Sequence, residues 1–124
     1  MTEYAAVADV LSKYFDALYY CDTDKIREVF HPKAIYATAD KTPLLYRDMT
    51  AYTKVIAKRE SPASRSEPRR DVIDGIDLAG ENTARARVRC SIGSRDFVDY
   101  LTLIREENRW QIIAKVFQII ERKG

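Results

Sequence analysis

The residue with the clearest chemical potential is Asp99, an acid inside the alternating and largely apolar stretch 95–104. Side chains alternate along a strand, so Asp99 shares one face with Phe97, Leu101 and Leu103. A carboxylate in such surroundings is costly unless it is paired or protonated. A protonated acid could donate a hydrogen bond to a carbonyl or enolate oxygen, a role worth roughly 3–4 kcal/mol per donor. The alternative is a structural carboxylate paired with an arginine or a tyrosine.

The single histidine, His31, is a second candidate for chemistry, as a general base. Its position before Pro32, at a predicted helix end, fits a C-cap or surface role equally well. One histidine cannot build a two-histidine metal site, and HxxxH and CxxC spacings are absent. The chain also lacks GxSxG, P-loop and dinucleotide-binding motifs, which disfavours hydrolase, kinase and NAD-dependent activities. We therefore predict neither a metal nor a cofactor.

Eight tyrosines suggest a pocket for a planar aromatic ligand with polar edges. The candidate lining consists of Tyr36, Tyr46, Tyr52 and Phe117, and Thr38 lies on the same strand face as Tyr36. Aromatic residues at strand and helix spacing are also typical of an ordinary core, so the core interpretation stays open.

Arg85, Arg87 and Arg89 form a basic stripe on one strand face, and we expect Lys115 on the same polar side. Such a stripe could bind an anion, but a solvated face or the polar part of a dimer interface is more typical. The net charge of +2 is too small to predict nucleic-acid or membrane binding. Cys21 and Cys90 do not suggest a disulfide framework, and the start of the chain lacks a signal-peptide pattern, so we expect a cytoplasmic protein.

Three helices are predicted to position these side chains, over residues 4–20, 24–30 and 49–59. Thr2 is the expected N-cap of the first helix, Asp22 or Thr23 of the second and Asp48 of the third. Pro32 should stop the second helix at His31, because proline cannot continue a helix.

Strands are predicted over residues 34–38, 70–78 and 83–92, with a short one at 44–46 and a long hairpin over 95–122 that turns at 106–108. In the strand 70–78 we expect Val72, Asp74, Ile76 and Leu78 to share a face. Residues 61–68 read as a surface loop. This order indicates one α+β domain over residues 1–124, with three N-terminal helices packed on a curved, mainly antiparallel sheet. Such an arrangement encloses a cavity suited to a small molecule.

Three stretches carry a family resemblance: YFDALYYCD, FHPKAI and DYLTLIREENRWQIIAKVF. With them the chain resembles the nuclear transport factor 2-like (NTF2-like) superfamily, a cone-shaped α+β fold that includes SnoaL-like cyclases and ketosteroid isomerases. The putative lumazine-binding group of that superfamily is the most similar. The resemblance covers nearly the whole chain and implies a homodimer formed through the convex face of the sheet.

The resemblance to ketosteroid isomerases implies specific roles. In those enzymes a tyrosine of the first helix and a protonated aspartic acid on a long strand form an oxyanion hole, and another carboxylate shuttles the proton. Tyr14 and Asp99 fall at the first two positions. Thr38 falls at the third and cannot move a proton, whereas Asp40 follows two residues later. Tyr14 could equally be a core tyrosine whose hydroxyl meets Asp99 or a backbone group.

Three hypotheses about function follow. The first is a binding domain for a small hydrophobic or aromatic molecule, with a mostly apolar pocket and a polar end at Tyr14 and Asp99. The second is an isomerase, cyclase or dehydratase that stabilises an enolate with Tyr14 and Asp99, while Asp40 or His31 moves the proton. The third is a structural or dimerisation module whose interior is filled by its own side chains.

Overall fold

A computed structural model describes residues 2–123, in which three α-helices pack on a six-stranded sheet. The helices are α1 (Glu3–Tyr20), α2 (Thr23–Val29) and α3 (Met49–Lys58). The strands are β1 (Phe30–Thr38), β2 (Leu45–Arg47), β3 (Val72–Ala79), β4 (Thr83–Ile92), β5 (Arg95–Glu106) and β6 (Arg109–Glu121). A single 3₁₀ turn, Ala63–Arg65, lies in the loop before β3. The predicted α+β class is confirmed.

Each helix begins at a side chain that caps it. Thr2 Oγ1 accepts a hydrogen bond of 3.1 Å from the backbone N–H of Ala5, and Asp48 Oδ1 accepts one of 2.9 Å from that of Ala51. Asp22 is one of the two predicted caps of α2, and its Oδ1 accepts a hydrogen bond of 3.1 Å from the backbone N–H of Lys25. These oxygens satisfy amides that have no partner inside the helix, which fixes where each helix starts.

The second helix ends earlier than predicted. It stops at Val29, and Phe30 already belongs to β1, so His31 and Pro32 lie inside the strand and not at a helix end. β1 pairs with β6 at Phe30 and again from Ile35 onward, with a shift of register between them. This irregular segment accommodates Pro32, because proline donates no backbone hydrogen bond and is tolerated where pairing is interrupted.

The sheet has the strand order β2-β1-β6-β5-β4-β3. Every neighbouring pair is antiparallel except β1 with β6, which is parallel. The predicted hairpin of residues 95–122 forms β5 and β6, which turn at Glu107 and Asn108 with positive φ angles of 54° and 62°. The central position of β5 and β6 means that their inward residues line the middle of the domain.

The prediction that Val72, Asp74, Ile76 and Leu78 share one face of β3 is wrong, because a β-bulge interrupts the strand. Ile73 pairs with Val88 but Gly75 pairs with Arg87, so one extra residue, Asp74, interrupts the ladder. The bulge moves Asp74 to the outer face, where its carboxylate accepts hydrogen bonds from Arg87 and Arg89. Val72 therefore does not share a face with Ile76, because a one-residue shift reverses side-chain direction.

The two faces of the sheet differ in burial. The inner face carries apolar residues of β4, β5 and β6 that pack beneath the helices, whereas the outer face exposes the arginines of β4 and large apolar groups such as Tyr100 and Val116. The core is thus a single layer between helices and sheet. In the part of the chain that the structure describes, no helix is both long and apolar enough to cross a membrane.

Candidate functional site

Tyr14 and Asp99 meet inside the domain. The buried stripe of α1, which includes Leu11 and Leu18, turns Tyr14 toward the sheet, and strand alternation in β5 turns Asp99 inward. The Tyr14 hydroxyl donates a hydrogen bond of 2.6 Å to Asp99 Oδ2, and both side chains are fully buried. Burial raises the pKa of Tyr14 well above its ordinary value, and the nearby charge of Asp99 adds to the shift.

Lys115 completes the cluster and does not lie on the outer, arginine-bearing side where it was expected. Its side chain is 7% exposed, and Nζ lies 3.9 Å from Asp99 Oδ2. Lys115 pairs directly with Leu101 and is two residues from Phe117, both of which face inward. The two-residue spacing from Phe117 indicates that Lys115 faces inward, because side chains two residues apart on a regular strand share a face.

Four aromatic rings surround the ammonium group of Lys115. Nζ lies 5.1 Å from the ring centroid of Tyr14, 5.2 Å from Tyr36, 5.5 Å from Tyr52 and 5.3 Å from Phe117. A cation within about 6 Å of an aromatic face is attracted to the ring, so the rings offset part of the cost of burying the charge.

The charge of Asp99 stabilises the lysine as an ammonium ion. Burial lowers the pKa of Lys115, but the carboxylate of Asp99, with smaller contributions from Tyr52 and Tyr36, outweighs burial and leaves the pKa raised. The sequence left two alternatives open for Asp99, a protonated donor and a structural carboxylate paired with an arginine or a tyrosine. Its contacts with Tyr14 and Lys115 are those of a paired group, although Lys115 was not among the expected partners.

Two polar atoms of the cluster are buried without a hydrogen-bond partner, Asp99 Oδ1 and the Tyr52 hydroxyl. Burial raises the pKa of Tyr52, so its hydroxyl remains a neutral donor at ordinary pH. Leaving a buried polar group unsatisfied costs about 1–3 kcal/mol. The cluster therefore offers an open acceptor on Asp99 and open donors on Tyr52 and Lys115.

Four of the five predicted pocket residues, Tyr36, Thr38, Tyr52 and Phe117, lie on this inner side and are at most 7% exposed. They fill the space around Lys115 with their own atoms. Tyr36 stacks on Tyr52 with ring centroids 4.4 Å apart, and its ring lies 4.8 Å from that of Phe117. Thr38 donates its hydroxyl to the backbone carbonyl of Phe117 at 2.6 Å, so it is not free to contact a ligand.

The two proposed proton carriers are engaged elsewhere. Asp40 is exposed beyond the end of β1, and its Oδ2 accepts a hydrogen bond of 2.8 Å from the backbone N–H of Ile119. His31 contacts Glu106 through Nε2 at 3.1 Å. Glu106 lies seven residues beyond Asp99 on the same strand, a separation of roughly 23 Å at the usual strand rise. The structure therefore brings neither side chain to Tyr14 and Asp99.

The arginine stripe and Tyr46 also lie outside the cluster. Arg85 pairs with Asp77, and Arg87 and Arg89 pair with Asp74 on the outer face. Tyr46 is 58% exposed on β2. Residues 2–123 contain no group of three or more histidine, cysteine, aspartate or glutamate side chains arranged to hold a metal ion. Cys90 is a buried thiol whose pKa burial raises to about 12, so it is a poor nucleophile.

Three of the open depressions on the described part of the chain lie around the cluster and not at it. One of about 570 Å³ lies on the outer face of β3, β4 and β5 beside Arg87 and Tyr100. A second, of about 470 Å³, lies between α2, β1 and α3. The third, of about 210 Å³, lies beside Trp110. The second shares Phe30 with the interior, since the Phe30 ring packs edge-on against Tyr14 and Tyr52 at 5.8 and 5.6 Å.

Three helices on one face of a six-stranded sheet, with a polar cluster between them, define the cone fold of the nuclear transport factor 2-like superfamily, as predicted. Within it, the family model described as "Putative lumazine-binding" matches residues 2–118, so the chain belongs to that family. A comparison with curated proteins gives no match.

Solved structures agree with the fold. A nuclear transport factor 2-like protein of unknown function from Shewanella baltica superposes with a TM-score of 0.83 at 26% identity, over 95% of this chain and 94% of that one. Another, from Silicibacter pomeroyi, gives 0.82 at 22% identity, over 97% and 100%. A ketosteroid isomerase-like protein from Erwinia carotovora atroseptica gives 0.73 at 10% identity, over 94% and 95%.

Proposed function

We propose that this chain is a small-molecule-binding domain whose ligand takes the open hydrogen bonds of Tyr52, Asp99 and Lys115. The observation that carries the proposal is the pair of buried atoms without partners, Asp99 Oδ1 and the Tyr52 hydroxyl. Buried polar groups are nearly always satisfied in native proteins, and a ligand is one way to satisfy them. The family description, which names lumazine, supports the same class of function.

The arrangement of donors and acceptors favours a particular ligand edge. Asp99 Oδ1 accepts, whereas the Tyr52 hydroxyl and the Lys115 ammonium donate. The complementary edge carries an N–H beside a C=O, as in a cyclic amide or imide. Such rings are planar, and the aromatic faces of Tyr36 and Phe117 suit them by stacking. Lumazine has this edge and is therefore the first probe to use.

Binding at this site requires the aromatic side chains to separate. The rings of Tyr36 and Tyr52 now stack at 4.4 Å, which leaves no room for a third ring between them. A ligand must displace at least one of them, and the free energy of that displacement lowers the observed affinity. The same packing supports a second candidate function, a structural module whose interior is filled by its own side chains.

Titration of the protein with lumazine, monitored by the fluorescence of lumazine, tests the proposal. Asp99→Asn should weaken binding by about 10-fold or more, because a hydrogen bond to a charged group is worth about 1.5–3 kcal/mol. Asp77→Asn is the matched control, since Asp77 is an exposed acid on the outer face that pairs with Arg85. Tyr52→Phe removes one donor without introducing a charge and provides a second test if Asp99→Asn folds poorly.

The outcomes separate the two candidates. Lumazine binding that Asp99→Asn and Tyr52→Phe weaken, and that Asp77→Asn does not, supports the interior site. Naphthalene, a planar ring without the amide edge, should show no difference between the parent protein and Asp99→Asn. If lumazine does not bind at millimolar concentration, this ligand class is wrong and the self-filled module is favoured.

The enolate-stabilising enzyme is the less supported alternative. Tyr14 and Lys115 could stabilise an oxyanion, but the reaction also needs a group to move the proton. Asp40 and His31 are held by Ile119 and Glu106, and the raised pKa of Lys115 keeps it protonated. No specific contact therefore favours turnover over binding.

The proposal includes a homodimer formed through the outer face of the sheet. Tyr100 is 60% exposed there, and Val116, its direct partner across β5 and β6, is 49% exposed. Exposed apolar groups rimmed by charged residues are typical of protein interfaces. Arg87 and Asp74 supply such a rim, with Arg87 donating to the Tyr100 hydroxyl at 3.1 Å.

A further inference from the structure

The depression between α2, β1 and α3 has a chemical character that the interior cluster does not explain. It measures about 470 Å³, a size that suits a small organic molecule. Its lining consists of Arg27, Phe30, Pro32, Met49, Thr50, Thr53, Lys54 and Ala57. We call it the α2–α3 groove.

The α2–α3 groove combines apolar and basic surfaces. Pro32 and Ala57 expose apolar surface above a floor formed by the nearly buried Phe30 and Met49, and all the charge in the lining is positive, from Arg27 and Lys54. Arg27 contacts Asp24 at 3.1 Å, but that carboxylate is 96% exposed and does not line the groove. Within the described part of the chain Lys54 forms no ion pair. The surface is therefore complementary to a molecule with an apolar body and one negative group.

Phe30 separates the α2–α3 groove from the interior. Its side chain is 1% exposed, yet it lines the groove on one side and packs against Tyr14 and Tyr52 on the other. Phe30 also lies at the junction where α2 ends and β1 begins. A molecule in the groove would thus rest on the residue that supports the interior cluster, without touching Asp99 or Lys115.

We propose that the α2–α3 groove is a binding site for a small amphiphilic anion, with its apolar body on Pro32 and Ala57 over the floor of Phe30 and Met49, and its carboxylate or sulfonate beside Lys54 and Arg27. This site is separate from the interior site, and the proposal does not require that a ligand bind in the interior. Solvent screens the charge of an exposed cation, so the apolar surface supplies most of the affinity and the charge supplies selectivity.

The fluorescent sulfonate 8-anilinonaphthalene-1-sulfonate is a direct probe of the groove. Lys54→Glu should weaken its binding by about fivefold, the effect of losing and reversing a surface charge worth about 1 kcal/mol. Lys58→Glu is the matched control, because Lys58 lies one turn further along α3 with the same change in net charge and does not line the groove. Decanoate should displace the probe at lower concentration than decanol, which has the same chain length without the charge.

A second pair of variants tests the location of the site by adding a large side chain inside or outside the groove. Ala57→Trp places a large ring in the α2–α3 groove from an exposed helix position and should abolish binding of the probe. Ala51→Trp adds the same ring at an exposed position of α3 outside the groove and should leave binding intact. Urea unfolding of each variant checks that it remains folded.

The results decide the proposal in either direction. The proposal is supported if Lys54→Glu and Ala57→Trp weaken binding of the probe and their controls, Lys58→Glu and Ala51→Trp, do not. Unchanged probe binding in Asp99→Asn shows that the site is independent of the interior. Equal weakening by Lys54→Glu and Lys58→Glu, or full binding in Ala57→Trp, overturns it. Failure of lumazine to bind would leave this result unaffected, so the two proposals fail separately.

Discussion

The hydroxyl of Tyr14 donates a 2.6 Å hydrogen bond to Asp99 Oδ2, and this bond joins the first helix to the centre of the sheet. The two residues are 85 positions apart in the chain and both are fully buried. A hydrogen bond to an ionised group is stronger than one between neutral groups, and burial shields it from water. The contact therefore contributes to stability as well as to any ligand site.

Tyr14→Phe removes the donor and leaves Asp99 Oδ2 with only the more distant Lys115. We expect the free energy of unfolding to fall by about 1.5–3 kcal/mol, the range for a hydrogen bond to a charged group. Urea denaturation measures the change. Tyr46→Phe is the control, because Tyr46 is 58% exposed and its variant should lose less than about 0.5 kcal/mol. Equal losses in the two variants would contradict the role of this bond.

Lys115→Met should destabilise the protein more severely. It leaves the carboxylate of Asp99 buried without a counter-charge, which typically costs about 3–5 kcal/mol. The double variant Asp99→Asn with Lys115→Met should be more stable than Lys115→Met alone, since no unpaired charge then remains and an asparagine can still accept from Tyr14.

An exposed ion pair provides the control for Lys115. Lys13 lies 3.2 Å from Glu28 on the surface, with side chains 43% and 50% exposed. Lys13→Met should cost about 1 kcal/mol or less, because solvent screens such pairs. If the double variant is no more stable than Lys115→Met, then the loss in that variant reflects packing and not an uncompensated charge.

Alkaline pH should destabilise the fold. The folded-state pKa values of Cys90, Tyr14 and Lys115 lie above their unfolded-state values of 9.0, 10.0 and 10.5. The unfolded chain therefore releases these protons at lower pH than the folded protein does, and the stability falls as pH rises. The free energy of unfolding measured with urea should be insensitive to these groups below about pH 8 and fall above it, by at most about 1.4 kcal/mol per pH unit for each group.

Cys90 contributes the first part of that loss, because burial raises its pKa to about 12 and its unfolded thiol ionises first. Cys90→Ala should reduce the steepness of the decline between about pH 9.5 and 11 by about 1 kcal/mol per pH unit. Cys90→Val should reduce it equally, even though the two variants differ in stability at neutral pH. An unchanged slope in both variants would show that Cys90 does not cause the decline.

Patterning along β5 and the first helix was sufficient to predict the main partners of the interior cluster. Alternation in β5 turned Asp99 inward, and helical periodicity turned Tyr14 toward the sheet. Lys115 was missed because a lysine was assumed to belong with the exposed arginines. Its spacing from Phe117 indicated the opposite face, and the assumption failed because Asp99 and four aromatic rings stabilise the buried ammonium.

Irregularities of the ladder could not be predicted from alternation alone. The bulge at Asp74 reverses the faces of β3, and a similar shift in β6 inserts Ile113 between Ile112 and Ala114. An extra residue in one strand leaves the amino-acid pattern almost unchanged but moves every later side chain to the other face. The start of β1 at Phe30 was missed for a related reason. Pro32 indicated a helix end, whereas it lies in an irregular segment of the strand.

The outer face of the sheet leads to the last prediction, a dimer in solution. Tyr100 and Val116 face each other across β5 and β6 and are exposed in the single chain. Light scattering during size-exclusion chromatography should give a mass near twice 14.3 kDa. Tyr100→Glu should convert the dimer to a monomer, because a charge in the apolar centre of an interface is buried without a partner.

The control and the converse result complete this test. Tyr46→Glu introduces the same charge at a tyrosine of similar exposure, 58% against 60%, but on the edge strand β2 and away from Tyr100. It should leave the dimer intact. A monomeric parent protein would rule out the dimer, and dissociation by both variants would place the interface elsewhere. The interior cluster would be unaffected in either case, because Tyr14, Asp99 and Lys115 all lie on the opposite face of the sheet from Tyr100.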